Sequence, residues 1–202
     1  MLAVLTLDQR RSRSSPDLVE DALSTLAPLG ALRAFERTAG DELQGVVDEP
    51  VVLVQVVELL LRQDRWNVGV GLGEVELPLP SSTRAGRGAA FLRAREAVSA
   101  AKTSPWHLRV VGDEGAGPAR ALETTWWLWA AILSRRSARG WEVADLVEGS
   151  DVSYEEAGRR LGISQSAVSQ RAQAAGLVEG RRARELAGYL AAQLLTPVGA
   201  SA

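Results

Sequence analysis

The side chains with the most specific chemistry lie in a short segment near the C-terminus. Residues on one side of a predicted helix there end in amides and hydroxyls, which can hydrogen-bond to base edges in the major groove of DNA. Arginines in the same region can contact phosphates. The candidate DNA-binding residues are Ser164, Gln165, Ser166, Ser169, Gln170, Arg171, Gln173, Arg181 and Arg182, with Arg184 as a further phosphate contact.

Two short helices are predicted to position these side chains. Ser153 and Glu156 have the spacing of a capping box, in which each residue caps a backbone amide of the other. Gly162 permits the left-handed turn that ends this first helix, and Ser164 can cap a second helix over residues 165–174. The spacing is typical of a helix-turn-helix, and a solvated helical hairpin with a glycine turn is the alternative.

The N-terminal part alternates short strands with helices. The apolar run 2–7 predicts a buried strand, and Asp8 follows its end. Two strand patterns flank Gly40 and predict a hairpin with Asp41 at its tip. The predicted order β-α-β-β-α-β-α-β-α is that of an α+β fold, in which helices pack on a mainly antiparallel sheet.

Other segments leave a choice of structure open. Residues 51–61 predict a buried helix, although their valines would also suit a strand. Glycines alternate with apolar residues over 66–77, which indicates a strand that a ligand approaches closely or a tight bend. A glycine-rich turn is predicted at 112–117, a long helix over about 118–136, and a closing helix over 186–195.

This order of elements resembles the palm-like catalytic domain of class III nucleotide cyclases and diguanylate cyclases, and it is most similar to the SatD-like family. The resemblance covers about residues 1–111. It rests on Leu7-Asp8, on the hairpin 40–45, on the Gly-Val-Gly-Leu-Gly-Glu segment 69–74 and on the glycine-led helix 86–96. The C-terminal helices resemble the DNA-binding helix-turn-helix of sigma factors and repressors. The resemblance implies a palm or ferredoxin-like antiparallel sheet followed by an all-α domain.

For the first domain, the resemblance implies a site at its carboxylates. Asp8, Asp41 and Glu42 are its candidate nucleotide-binding or metal-binding residues, with Asp8 and Asp41 as ligands of Mg²⁺. Leu92 stands where cyclases carry the asparagine that orients the ribose, and Glu96 where they carry the arginine that stabilises the transferring phosphate. These two departures argue against catalysis. A metal-dependent enzyme, a remnant that binds or senses a nucleotide, and purely structural carboxylates all stay open.

Three further groups have both a chemical and a structural interpretation. Arg84 and Arg87 lie in a polar loop and either clamp a phosphate or are merely solvated. His107 has no obvious catalytic partner, which favours a structural role in a strand. A cluster of tryptophans is expected to pack against apolar residues rather than to stack on bases. One member is expected to face another way, towards a second subunit. The cluster comprises Trp126, Trp127, Trp129 and Trp141, and Trp127 is the outward member.

Composition limits the classes of partner. The 202-residue chain has a net charge of −2, so any DNA contact must come from a local patch. It contains no cysteine and one histidine, which excludes disulfides, thiolate metal sites and multi-histidine zinc sites. No apolar run is long enough to cross a bilayer, and a cytoplasmic protein without a membrane partner is expected.

These observations predict three segments: a cyclase-like α+β domain at 1–117, a linking helix at 118–140 and a helix-turn-helix domain at 141–202. The predicted function is a sequence-specific DNA-binding transcription regulator whose cyclase-like domain dimerises, senses a nucleotide, or both. Its predicted partners are double-stranded DNA, a second copy of the chain and a nucleotide effector with Mg²⁺. The alternative is a metal-dependent nucleotide cyclase or dinucleotide synthase with an accessory helical tail.

Overall fold

The computed structural model describes residues 1–113 and 117–195. The predicted turn at 112–117 and the end of the predicted domain 141–202 therefore lie partly outside the described residues. Within them the strands are β1 (Leu2–Gln9), β2 (Arg33–Ala39), β3 (Glu42–Val47), β4 (Trp66–Gly73) and β5 (Leu108–Val111). The helices are α1 (Val19–Leu26), α2 (Pro50–Gln63), α3 (Ala89–Ala101), α4 (Gly117–Leu133), α5 (Ala138–Gly149), α6 (Tyr154–Leu161), α7 (Gln165–Ala174) and α8 (Leu177–Leu194).

The described residues fall into two compact units. Unit 1 comprises residues 1–113, 117–127 and 186–195, and unit 2 comprises residues 128–185. The division falls inside the segment 118–140 that the sequence predicts as a linking helix.

Unit 1 contains a five-stranded sheet with the order β2-β3-β1-β4-β5. β1 lies antiparallel to both β3 and β4, and the β2-β3 hairpin turns at Gly40, which has a positive φ of 58°. β5 joins β4 in parallel. This arrangement confirms the predicted α+β class and its mainly antiparallel sheet.

The segment 51–61 is helical, as predicted, in spite of its valines. Pro50 occupies the first turn of α2, where its fixed φ suits a helix and its missing amide proton costs nothing. Val52, Val56 and Leu60 recur at helical spacing and are buried, whereas Gln55 on the opposite side is exposed.

The alternating glycines of β4 accommodate the backbone of α3. A Cβ atom on Gly69 would lie 2.2 Å from the amide nitrogen of Val98, and one on Gly71 would lie 2.2 Å from the carbonyl oxygen of Ala90. Most of the buried residues of α3 are alanines, among them Ala90 and Ala94. The close approach that the sequence predicts for these glycines is therefore made by a helix.

The outer edge of β5 is covered by side chains of α4. Glu123 accepts a hydrogen bond from the amide of Val110 at 2.7 Å, and the indole of Trp127 donates to the carbonyl of Leu108 at 3.0 Å. These bonds satisfy backbone groups that an edge strand would otherwise present to another chain. The indole N–H of Trp127 is thus bonded to β5, and contact of its ring with a second subunit stays a prediction.

Several predicted boundaries differ from the structure. The long helix predicted to end near Arg136 ends at Leu133, and α5 follows it without having been predicted as a separate helix. The predicted closing helix begins at Leu177, nine residues earlier than expected. His107 lies in a short 3₁₀ turn before β5.

Of the helices in the described ranges, none combines the length and apolar character that a bilayer crossing requires.

Candidate nucleic-acid interface and carboxylate cluster

Helices α6 and α7 are set by side-chain caps at both of their starts. The hydroxyl of Ser153 accepts the amide of Glu156 at 3.2 Å, and the hydroxyl of Ser164 accepts the amide of Ala167 at the same distance. Between the helices, Gly162 has a φ of 65°, a conformation that glycine adopts without a steric penalty. Both predicted caps and the predicted glycine turn are confirmed.

The reciprocal half of the predicted capping box is absent. The Glu156 carboxylate accepts a hydrogen bond from Arg160 Nε at 2.7 Å and also pairs with Arg159. The bond from Arg160 is the main cause that lowers the pKa of Glu156, and the charge of Arg159 adds to it. Two arginines on the same helix therefore outcompete the backbone amide for this carboxylate.

A close approach fixes the turn between the two helices. A Cβ atom on Gly158 would lie 2.8 Å from the carbonyl oxygen of Ile163, so any larger side chain would push α6 away from the turn. Ala157, Val168 and Ala172 are buried in a shared core with residues of α5 and the start of α8. This packing fixes one side of α7 against the core of unit 2 and leaves the other side exposed.

The outward face of α7 carries the predicted amides and hydroxyls. Each of these side chains belongs to an exposed residue, and the hydroxyls of Ser164 and Ser166 lie 2.9 Å apart. The face contains no carboxylate. A carboxylate there would repel the phosphate backbone of DNA. Its exposed members are Ser164, Gln165, Ser166, Ser169, Gln170 and Gln173.

The predicted phosphate-contacting arginines differ in their surroundings. Arg181 and Arg182 are exposed on α8. Arg171 is only 25% exposed and has its Nη1 3.8 Å from Glu142 Oε2. Arg184 pairs with the buried Glu148 at 3.6 Å, which argues against its predicted phosphate contact. Arg159 and Arg160 of α6 are also exposed and were not among the predicted contacts; in the sequence only their spacing from Glu156 marks them.

A buried charge cluster stabilises unit 2 behind these helices. Glu148 Oε2 lies 3.5 Å from Arg136 Nη1, and these two side chains are only 8% and 1% exposed. Arg136 Nε donates to the carbonyl of Ala175 at 2.9 Å, and its guanidinium stacks over the ring of Trp141 at 4.7 Å. The cluster thereby ties the segment after α4 to α5 and to the end of α7. The packing role predicted for Trp141 is confirmed, as it is for the fully buried Trp126 and Trp129.

In unit 1, β1 and β3 bring two predicted carboxylates to the same end of the sheet. Asp8 and Glu42 are directly opposed across the two strands, and the carbonyl of Asp41 accepts the amide of Gln9 at 3.3 Å. The Asp8 carboxylate accepts the Asn67 amide at 2.8 Å and lies 3.4 Å from the ammonium of Lys102. Both oxygens of this carboxylate therefore already have a partner.

The predicted Mg²⁺ and nucleotide stay predictions. Glu42 accepts a hydrogen bond from the Thr38 hydroxyl at 2.6 Å, so it too has a local partner. Across residues 1–113 and 117–195, no three or more His, Cys, Asp or Glu side chains form a group that could hold a metal ion. The ammonium of Lys102 pairs with Asp8, and this ion pair weakens the attraction of the Asp8 carboxylate for a cation.

Arg84 and Arg87 line a cavity of about 480 Å³ beside the start of α3. Arg95 is a third arginine in its wall, and the buried Gln44 also lines it. Leu92 is 70% exposed at the same cavity.

The loop that carries the two arginines is tied to β2. Glu36 Oε1 accepts hydrogen bonds from Ser82, Thr83 and the amide of Arg84 at 2.6, 2.8 and 3.0 Å. Arg33 donates to the carbonyls of Leu79 and Pro80.

The comparisons with known proteins give no match, whether to a family model, to a curated protein or to a solved structure.

Proposed function

We propose that the chain is a sequence-specific DNA-binding transcription regulator in which α6 and α7 form a helix-turn-helix. The observation that carries this proposal is the outward face of α7, a row of amides and hydroxyls on a helix that Ser164 caps and that follows the close turn after α6. A major groove is wide enough to admit one α-helix, and side chains of these types hydrogen-bond base edges there. The exposed Arg181 and Arg182 neutralise phosphates.

The chemistry of this face favours adenine over guanine. Glutamine amides pair in bidentate fashion with N6 and N7 of adenine, whereas guanine is most often read by arginine or lysine. Gln165, Gln170 and Gln173 are exposed on α7, while its one arginine, Arg171, is largely covered and lies near Glu142. The regulator therefore reads A·T pairs through its glutamines.

Unit 1 is, in this proposal, a palm or ferredoxin-like domain of the SatD-like, cyclase-related type. The strand order β2-β3-β1-β4, with α1 and α2 as the two connecting helices, supports this assignment. The domain dimerises the chain, senses a nucleotide, or both, and a dimer presents two recognition helices to two half-sites. The regulator acts in the cytoplasm, where bacterial DNA is accessible.

The test is selection of bound DNA from genomic fragments by the full chain, repeated with candidate nucleotides present. We expect enrichment of A·T-containing sites, and loss of that enrichment in Gln170→Ala. Gln55→Ala changes an equally exposed glutamine on α2 and serves as the matched control. Recovery of fragments without any shared sequence would refute sequence-specific binding.

The second candidate function is a metal-dependent nucleotide cyclase or dinucleotide synthase. The direct opposition of Asp8 and Glu42 across β1 and β3 favours it. The Asn67 amide and the Lys102 ammonium at Asp8 weigh against it, together with Leu92 and Glu96. Incubation with each nucleoside triphosphate and Mg²⁺ or Mn²⁺, with Asp8→Ala as the control, tests it. Absence of a metal-dependent product would leave the regulator as the only proposal.

A further inference from the structure

A cluster of arginines lies at the end of the sheet in unit 1 where β1 finishes and β4 begins. These residues surround a cavity of about 280 Å³ that is separate from the one beside α3. The cavity is lined by Arg10, Arg11, Ser15, Gln63, Asp64 and Arg65. Neither the predicted DNA-binding face nor the predicted carboxylate site uses any of them.

The backbone fixes Arg10 at this cavity. The amide of Arg10 donates to the carbonyl of Arg65 at 2.8 Å, which extends the pairing of β1 with β4 by one step. The Arg10 guanidinium donates to the carbonyl of Asp64 at 3.1 Å and also pairs with its carboxylate. The single negative charge of the cavity is therefore already engaged by one of its three arginines.

The other two arginines give the cavity a positive charge. Arg11 and Arg65 are exposed, and neither forms an ion pair with another of the described residues. The charges of Arg10 and Arg11 also act on the neighbouring His107. Burial is the main cause that lowers its pKa, and repulsion from Arg10 and Arg11 lowers the pKa further, against the smaller opposing effect of Asp64.

The backbone around the cavity is strained. Arg11 and Asp64 have φ values of 58° and 48°, and the nearby Trp106 and His107 have 55° and 52°. They are four of the five non-glycine residues with positive φ among those the structure describes. The Arg11 carbonyl accepts hydrogen bonds from the Ser14 amide and from the hydroxyls of Ser14 and Ser15. Such conformations persist only where surrounding contacts impose them, and they cluster at ligand sites.

We propose that this cavity binds a phosphate group, either of free phosphate or of a small phosphate ester. Arginine forks match the oxygens of a phosphate in bidentate geometry, and Arg11 and Arg65 supply two such forks beside the fixed Arg10. A volume of about 280 Å³ is below the usual range for a whole drug-sized ligand, so the site holds the phosphate and at most the adjoining part of an ester. The site goes beyond the proposed reading of DNA and does not depend on it.

The experiment is isothermal titration of the full chain with inorganic phosphate and with a nucleoside monophosphate, at constant ionic strength and without DNA. We expect saturable binding that Arg65→Gln weakens about tenfold, as does Arg11→Gln, because each removes one charge-assisted bidentate contact. Arg13→Gln is the matched control, since Arg13 is an exposed arginine of the same turn that does not line the cavity. Circular dichroism verifies that each variant is folded.

The outcomes separate the two sources of phosphate. A monophosphate that binds more tightly than inorganic phosphate, with the same loss in Arg65→Gln, supports the site and assigns it to an ester. Equal affinities support the site and assign it to free phosphate. The proposal is overturned if neither ligand saturates the wild-type chain, or if Arg13→Gln weakens binding as much as Arg65→Gln does. DNA binding that persists in such a case leaves the proposed regulator function untouched.

Discussion

Glu148 is the residue on which the charge balance of unit 2 depends. Its buried carboxylate lies between Arg136 and Arg184, at 3.5 and 3.6 Å. We expect Glu148→Ala to lower the free energy of unfolding by about 3–5 kcal/mol, because it leaves the buried Arg136 charge without its carboxylate. Urea denaturation followed by circular dichroism measures the change.

The matched control for this prediction is Glu155→Ala. Glu155 is an exposed glutamate of the same unit, and its removal is expected to change the free energy by about 0.5 kcal/mol or less. Equal effects of the two substitutions would contradict the assigned role of Glu148. The sequence does not reveal this cluster, since its residues come from two separate segments, 136–148 and 175–184, and carry no motif.

Glu36 makes the free energy of unfolding of unit 1 dependent on pH in the acidic range. Burial alone would raise its pKa, but the bonds from Ser82, the Arg84 amide and Thr83 outweigh burial, and the pKa is lowered. The stability that Glu36 contributes is therefore fully present above the ordinary glutamate pKa of about 4.3. It is lost as the pH falls through the lower pKa of the folded state.

The measurement is the unfolding free energy of wild type and Glu36→Gln between pH 3 and pH 7. We expect the difference between the two proteins to be largest near neutral pH and to shrink below about pH 4. Glu74→Gln removes an exposed glutamate in the same region, and it should leave the pH dependence as it is in wild type. If the difference in unfolding free energy between wild type and Glu36→Gln stayed constant with pH, the charge of Glu36 would not be what holds residues 82–84 on β2.

At the scale of elements, the glycines of β4 decide whether α3 can lie on the sheet. A Cβ atom on Gly71 would lie 2.2 Å from both the carbonyl oxygen of Ala90 and the amide nitrogen of Ala94. Backbone atoms cannot move aside as a flexible side chain can. Gly71→Val is therefore expected to prevent α3 from docking and to abolish the cooperative thermal unfolding of unit 1, as measured by circular dichroism.

Gly188→Ala is the control for this substitution. Gly188 lies within α8, and a Cβ atom there would meet no other atom within 4 Å. Alanine also has a higher helix propensity than glycine, so this variant should be as stable as wild type or slightly more stable. If the Gly71→Val protein unfolded like wild type, the packing of α3 on β4 would not require glycine at position 71.

The sequence predicts elements well where a local signal marks their start. Pro50 starts α2, and serine caps start α6 and α7, so these three helices are confirmed. The start of α8 is missed because Gly176 and Gly180 suggest a break, whereas Gly180 lies inside the helix and makes room for Arg136. Whether a helix continues through such a glycine depends on packing against a residue that is distant in the sequence. No local sequence pattern records that packing.

At the scale of the whole molecule, the order of elements predicts the fold class, and the hairpin at Gly40 predicts which strands are neighbours. That order also places Asp8 and the hairpin carboxylates at one end of the sheet, as the register of β1 and β3 confirms. The partners Asn67 and Lys102 of Asp8 come from β4 and from the residue after α3. Their contact with Asp8 depends on long-range packing, so the sequence could not give the charge balance of this site.

The proposed binding of the whole chain to DNA leads to the last prediction, because base contacts and phosphate contacts respond differently to salt. Gln170→Ala is expected to weaken binding to the selected site by about 1–3 kcal/mol and to leave the salt dependence unchanged. Arg182→Gln, at an exposed position of α8, is expected to weaken binding to all sequences and to reduce the slope of log K against log salt by about 1. Fluorescence anisotropy between 50 and 200 mM salt, with a selected and a scrambled duplex, separates the two effects. Identical slopes for Arg182→Gln and wild type would place the phosphate backbone away from α8, and a loss in Gln170→Ala that is equal on both duplexes would remove this glutamine from base recognition.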